Sequence, residues 1–169
     1  MPVELDPNKV NRIQCEIYTI STRTTGSLNT IHPRFSDALN SADQDFLLLK
    51  NTQTASFATS EDGLSASSAS ALVRKNSVVL AIPREGHSSR EIPPHRQQVY
   101  VHKRPVESII EASPFIIRGT LHMPATVELL QHAHDPFRLY IPVTDAKVNH
   151  NSLASISFQT PFLLLNRQF

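Results

Sequence analysis

Three of the eight histidines, His122, His132 and His134, fall close together, with Asp135 adjacent and His150 farther along. Neutral imidazoles beside a carboxylate are a transition-metal donor set. The spacing argues against that use. His132 and His134 stand two apart at the end of a short segment, whereas sharing one helical face takes an i, i+4 pair. They read as solvated loop histidines, and no metal or other cofactor is expected. The single cysteine, Cys15, alternates with Ile13 and Ile17 and reads as a small buried hydrophobe, not a nucleophile. Ser65 to Ser70 (SASSAS) offers hydroxyls without the strained Gly-x-Ser-x-Gly turn that activates one, and reads as a flexible loop. Asp43, Asp45, Glu61 and Asp62 lack the alternating acidic ladder of a calcium loop. Only four glycines exist and no two are close, which excludes a glycine-rich phosphate cradle. No catalytic residue is expected, and the chain reads as non-enzymatic.

One charge feature is basic. Arg84, Arg90, Arg96, Lys103 and Arg104 are interleaved with His87, His95 and His102, and Tyr100 lies nearby. Arg90, Arg96, Lys103 and Arg104 could contact phosphates, and Tyr100 could stack on a base. Glu85, Glu91 and Glu107 dilute the stretch, so it also reads as a solvated linker. A formal net charge of +1 gives no global pull toward nucleic acid, membrane or an acidic partner.

These residues need a scaffold, and composition permits one. Apolar residues make up 40% and charged residues 18% of 169, which places the chain among globular sequences and away from disordered ones. A lone cysteine offers no disulfide signature, so a cytoplasmic setting is expected. Met1 to Val10 carries Glu4, Asp6 and two prolines, and no run approaches the roughly 18 apolar residues of a membrane span. Neither a signal peptide nor a membrane segment is expected.

An internal repeat organises the chain. Pro33 set against Pro124 and read forward without gaps pairs Leu39 with Leu130, Ala42 with Ala133, Phe46 with Phe137, Leu48 with Leu139 and Ala55 with Ala146. Upstream, Gly26-Ser27-Leu28 matches Gly119-Thr120-Leu121 after a short insertion in the first copy. Downstream, Leu72 to Leu80 matches Ile156 to Leu164 if the first copy carries a longer insertion in its Ser/Ala-rich segment, Ala55 to Ala71. The expected division is a first β-rich repeat over 1–83, a basic Pro-containing linker over 84–98 and a second repeat over 99–169. Pro93-Pro94 would stiffen that linker.

Each copy reads the same way. Ile13 to Ile17 has the period-two alternation of a strand, and Phe115 to Leu121 is rich in β-formers around one Gly that hints at a bulge. Arg34 to Asn40 and Ala125 to His132 follow prolines and repeat apolar residues at helical spacing, which predicts one or two helical turns. A second strand follows, Phe46 to Thr52 and Phe137 to Val143. The last element is a hairpin, with Lys75-Asn76-Ser77 and Gln159-Thr160-Pro161 as turns. The fold class expected is mainly β, two tandem small β-barrel units with one short helix each.

The run Gly119-Thr120-Leu121-His122-Met123-Pro124, a short helix ending in Leu129-Leu130, then Phe137-Arg138-Leu139 leading into Thr144-Asp145-Ala146-Lys147-Val148, resembles a group of uncharacterised bacterial domains with an Sm-like small β-barrel. In the first copy Thr52 to Phe57 keeps only Ala55 and the apolar final position of that run. The resemblance implies a fold and carries over no catalytic residue. Sm-like barrels commonly form rings through edge strands, and many bind RNA. Two functional classes follow. One is a structural or assembly protein that associates with itself or a protein partner through strand edges and apolar faces, with Phe162, Leu163, Leu164 and Leu165 as the candidate edge. The other is a single-stranded nucleic-acid-binding module built on the basic residues.

Overall fold

The computed structural model describes residues 10–57, 65–84, 102–133 and 138–169. The chain is mainly β and divides into two compact units, Met1–Ser88 and Ser89–Phe169. The division falls between Ser88 and Ser89, inside the segment read as a linker; most of that segment lies outside the described residues. Among the described residues no helix is long and apolar enough to cross a membrane.

Unit 1 contains β1 (Asn11–Thr19), β2 (Thr22–Thr30), α1 (Phe35–Asn40), β3 (Phe46–Ser56), β4 (Ser65–Arg74) and β5 (Val78–Pro83). All pairings are antiparallel, in the order β4-β3-β2-β1-β5. Alternation in β1 sends Ile13, Cys15 and Ile17 into the core and Arg12, Gln14 and Glu16 to the other face. α1 buries Phe35, Ala38 and Leu39, the i, i+3, i+4 pattern of one apolar stripe. Lys75, in the turn between β4 and β5, donates from Nζ to the Ala38 and Ser41 carbonyls at the end of α1 (3.2 and 2.8 Å). Those carbonyls are orphans of the helix terminus that a cation there satisfies.

Unit 2 contains β6 (Lys103–Ala112), β7 (Phe115–Pro124), α2 (Leu129–Ala133), β8 (Tyr140–His150) and β9 (Ser157–Asn166). Its order is β9-β8-β7-β6, again antiparallel. The core holds Phe115, Ile117, Leu121, Met123, Tyr140, Val143 and Val148.

Both units share one irregularity. In unit 1 the β2–β3 ladder runs Thr25↔Gln53 and then Ser27↔Lys50, so Gly26 lies opposite the bulged pair Asn51-Thr52. In unit 2 it runs Arg118↔Lys147 and then Thr120↔Thr144, with Gly119 opposite Asp145-Ala146. Asn51 and Asp145 each have φ near 50°, a left-handed conformation that Asn and Asp tolerate best after Gly. A Cβ on Gly119 would stand 2.5 Å from Val143 Cγ1 and 3.0 Å from the Thr144 carbonyl oxygen. On Gly26 it would stand 3.0 Å from Thr52 Cγ2. The glycine serves close backbone approach in both copies.

This shared bulge corrects the alignment. Asn51 corresponds to Asp145 and Thr52 to Ala146, so the pairs Phe46 with Phe137 and Ala55 with Ala146 are slipped along the strand. Carried forward from Gly26 and Gly119, the position of Leu39 is that of His132. His132 is buried, while Leu129 and Leu130 are 44% and 71% exposed, contrary to the apolar stripe expected for α2. Two loop assignments also change. Ser65 to Ser70 is the first part of β4, paired with β3, not a flexible loop. Gln159 to Pro161 lies within β9, not in a turn; Pro161 falls opposite bulged Asp145, where the β8–β9 ladder skips a pairing and a missing N–H is tolerated. Lys75 to Ser77 is a turn, of 3-10 form. Among the described residues each sheet is open, since β4 pairs only with β3 and β6 only with β7.

Candidate assembly surface

The Phe46-Leu47-Leu48-Leu49 run in β3 puts apolar side chains on both faces of its sheet. Leu47 and Leu49 are buried, so alternation leaves Phe46 and Leu48 outside, 48% and 43% exposed. Leu72 of β4 lies directly across from Leu48 and is 69% exposed. These three side chains adjoin a ten-residue edge strand that carries no charge before Arg74 and no proline. Charge and proline are the usual means of blunting a sheet edge, and β4 has neither over Ser65 to Val73.

β6 is the second edge. Ala125 donates its N–H to the His102 carbonyl (3.0 Å), which fixes the phase of the β6–β7 ladder. Because antiparallel residues alternate between the two neighbours, Lys103, Pro105, Glu107, Ile109 and Glu111 point their backbone groups away from β7. Unit 1 has the same phase. There Arg84 donates its N–H to the Gln14 carbonyl (2.8 Å), and β5 takes up the outward backbone groups of β1. The pairings Cys15↔Gly26 and Ser108↔Gly119 place Gln14, Glu16 and Tyr18 in correspondence with Glu107, Ile109 and Glu111.

On the face above that edge the two units differ. Glu16 accepts from Arg23 Nε and Arg84 Nε, both at 2.7 Å, and from the Tyr18 hydroxyl at 2.9 Å. Burial pushes the Glu16 carboxyl up, but the hydrogen bonds from Arg23, Tyr18 and Arg84 outweigh it and hold the group below its ordinary value. Such a carboxylate stays ionised and is a poor general base near neutrality; its geometry ties β1, β2 and the end of β5 together. The corresponding pair in unit 2 is Ile109 and Ile116, 62% and 38% exposed.

Of the other sequence-derived candidates, Lys103 and Arg104 begin β6, and the rest lie apart from these two edges or outside the described residues. Leu163, Leu164 and Leu165 are buried in β9 and Phe162 is half-buried, so their side chains form no exposed apolar face. Lys103 and Arg104 are exposed at the start of β6, where Arg104 Nη2 donates to the Val127 carbonyl (3.3 Å). Arg90, Arg96 and Tyr100 lie outside the described residues. His122 bonds Thr144 Oγ1 (2.9 Å), and His150 Nδ1 accepts from the Ser152 and Leu153 N–H groups. His134 and Asp135 lie outside the described residues, among which no cluster of three metal-ligating side chains occurs. Cys15 is buried, which pushes its thiol up to about 12. Asp43 and Asp45 lie near Lys75, while Glu61 and Asp62 are outside the described residues. A shallow depression of about 400 Å³ beside the β8 bulge is lined by Asp145, Lys147, Gln159, Thr160 and Pro161 and holds no nucleophile paired with a base.

The β4 edge escaped the sequence reading because Ser and Ala have low strand propensity. The one available signal was the run of four apolar residues preceding it, since an edge partner must cover the backbone of so apolar a strand. Comparison with family models, with curated proteins and with solved structures gave no match to this chain.

Proposed function

We propose that this is a non-enzymatic assembly protein whose units associate with further copies or with a protein partner through strand edges and apolar faces. The observation that carries the reading is the exposed group Phe46, Leu48 and Leu72 beside the β4 edge, which carries no charge before Arg74. An edge of this kind supplies main-chain hydrogen bonds, and the apolar group supplies area removed from water. An Sm-like relationship of each unit, with its edge strands left open, and a cytoplasmic setting belong to the same proposal and rest on the sequence resemblance and the lone cysteine. The test is light-scattering mass of the full chain across a concentration series at low and high salt. A defined multimer that resists salt, and that Leu48→Asp with Leu72→Asp converts to a smaller species, supports the reading. A monomer throughout overturns it. Both leucines are substantially exposed, so the variants leave the fold intact.

A second reading, single-stranded nucleic-acid binding, is favoured by one feature of unit 2. Lys103 and Arg104 are exposed at the start of β6, and exposed Arg118 and Lys147 are direct cross-strand neighbours. Binding to an oligonucleotide that weakens steeply with salt, and further when Arg96, Lys103 and Arg104 become Ala, would support this module over the assembly reading.

A further inference from the structure

We infer that β6 pairs with β6 of a second copy of this chain, antiparallel across a two-fold axis centred on Ser108. The inference rests on the assembly reading and adds to it a named partner and a seam at the second edge. Unit 1 shows what its repeat places at this edge: the outward backbone groups of Gln14, Glu16 and Tyr18 meet an antiparallel strand, β5. Among the described residues the corresponding groups of Glu107, Ile109 and Glu111 have no such strand.

The occupant follows from the charge pattern of β6. The strand begins with Lys103 and Arg104 and carries Glu107 and Glu111 toward its end, so an antiparallel copy meets it with opposite polarity. The register follows from the side chains. Centring on Glu107 would set two glutamates directly opposite each other, and centring on Ile109 would set Glu107 against Glu111. Centring on Ser108 avoids both. It places Val106 opposite Ile110 on the half-buried face and Glu107 opposite Ile109 on the exposed face, with Lys103 diagonal to Glu111. Residues 107 and 109 exchange main-chain hydrogen bonds across the seam, and the Glu111 N–H donates to the Pro105 carbonyl. Pro105, which has no N–H, confines the main-chain pairing to residues 105–111, and Lys103 reaches Glu111 of the other copy from just beyond it. The two-fold makes the contact isologous, so it closes as a dimer.

In this register Ser108 faces its own copy at a non-hydrogen-bonded position, where Cα atoms stand about 4.5 Å apart and a disulfide fits. Ser108→Cys in the full chain, treated with oxidised glutathione, should become predominantly a covalent dimer. Wild type, with buried Cys15, and Glu107→Cys should not. Ile109→Glu and Ile109→Lys give an independent reading, because Ile109 is exposed and neither change disturbs the core. Ile109→Glu faces Glu107 of the other copy twice per dimer and should weaken association by up to about tenfold. Ile109→Lys faces the same carboxylate and should leave it within about threefold or strengthen it. A multimer with no Ser108→Cys cross-link and equal response to the two Ile109 variants overturns the β6 seam and leaves the assembly reading standing. A wild-type monomer at every concentration overturns both.

Discussion

The hairpins β1–β2 and β6–β7 follow one backbone path to the same bulge, yet corresponding positions carry Glu16 and Arg23 in one and Ile109 and Ile116 in the other. Glu16 also takes Arg84, which directly follows β5, so the ionic cluster exists only because a fifth strand ends beside it. Among the described residues of unit 2 no strand takes that position and no guanidinium takes the place of Arg84, and a lone carboxylate–Arg pair on an exposed face would contribute little. Isoleucine there gains only if something covers it. The difference teaches that a sheet face and its edge are set together: the cluster marks an edge satisfied within unit 1, and the isoleucines mark one suited to another strand.

The sharpest way to break the equivalence of the two units is at the glycines. If both bulges have the same backbone geometry, alanine should be tolerated nowhere, but the clash is worse in unit 2. Gly119→Ala meets stiff Val143 at 2.5 Å and the Thr144 carbonyl oxygen at 3.0 Å and should cost about 2–3 kcal/mol, whereas Gly26→Ala meets the Thr52 methyl at 3.0 Å and the Lys50 carbonyl oxygen at 3.1 Å and should cost about 1–2. Hydrogen exchange resolved to β7–β8 and β2–β3 would measure each. Equal costs would mean that the approaches are equally close. A smaller contrast concerns the helices. Lys75→Met removes the Nζ donor from the Ala38 and Ser41 carbonyls and should destabilise unit 1 by about 1–2 kcal/mol. Part of the loss is returned, because burial disfavours the charged ammonium and pushes it below its ordinary value, an effect that Asp43 and Asp45 oppose. Unit 2 protection should be unchanged; a loss there would show that the two units do not open independently.

How much of this was legible beforehand follows the same division. Strand-rich duplication, the alternation of β1, the bulge at Gly119 and the helical turns were readable, because period-two patterning, glycine in a strand and a proline start are local signals. The register of β3 against β8 was not. Apolar residues fill consecutive positions in Phe46 to Leu49, so a slip keeps similar residues aligned and only the Asn51 and Asp145 backbone conformation fixes it. β4 was hidden by its Ser/Ala composition. The burial of the C-terminal leucines was not readable either, because nothing local distinguishes an apolar strand that is buried on its side chains from one that is exposed.

The smallest expected effect separates the two hairpins by pH. Glu16 has a folded-state value held below its ordinary 4.5 by Arg23, Tyr18 and Arg84 despite burial that raises it. On acidification the unfolded chain therefore takes up this proton before the folded chain does. The contribution of Glu16 is present above the ordinary value and is lost as pH falls through the folded value. It should stay under about 1 kcal/mol, because the two guanidiniums are 41% and 52% exposed and screened. Glu16→Gln should abolish that portion of the acid dependence in β1–β2 while leaving exchange in β6–β7, which has Ile109 at the corresponding position, as it was. Were Glu16→Gln to leave the acid profile of β1–β2 unchanged, the cluster would be geometry without energetic consequence, and the ionic half of the comparison between the hairpins would fall.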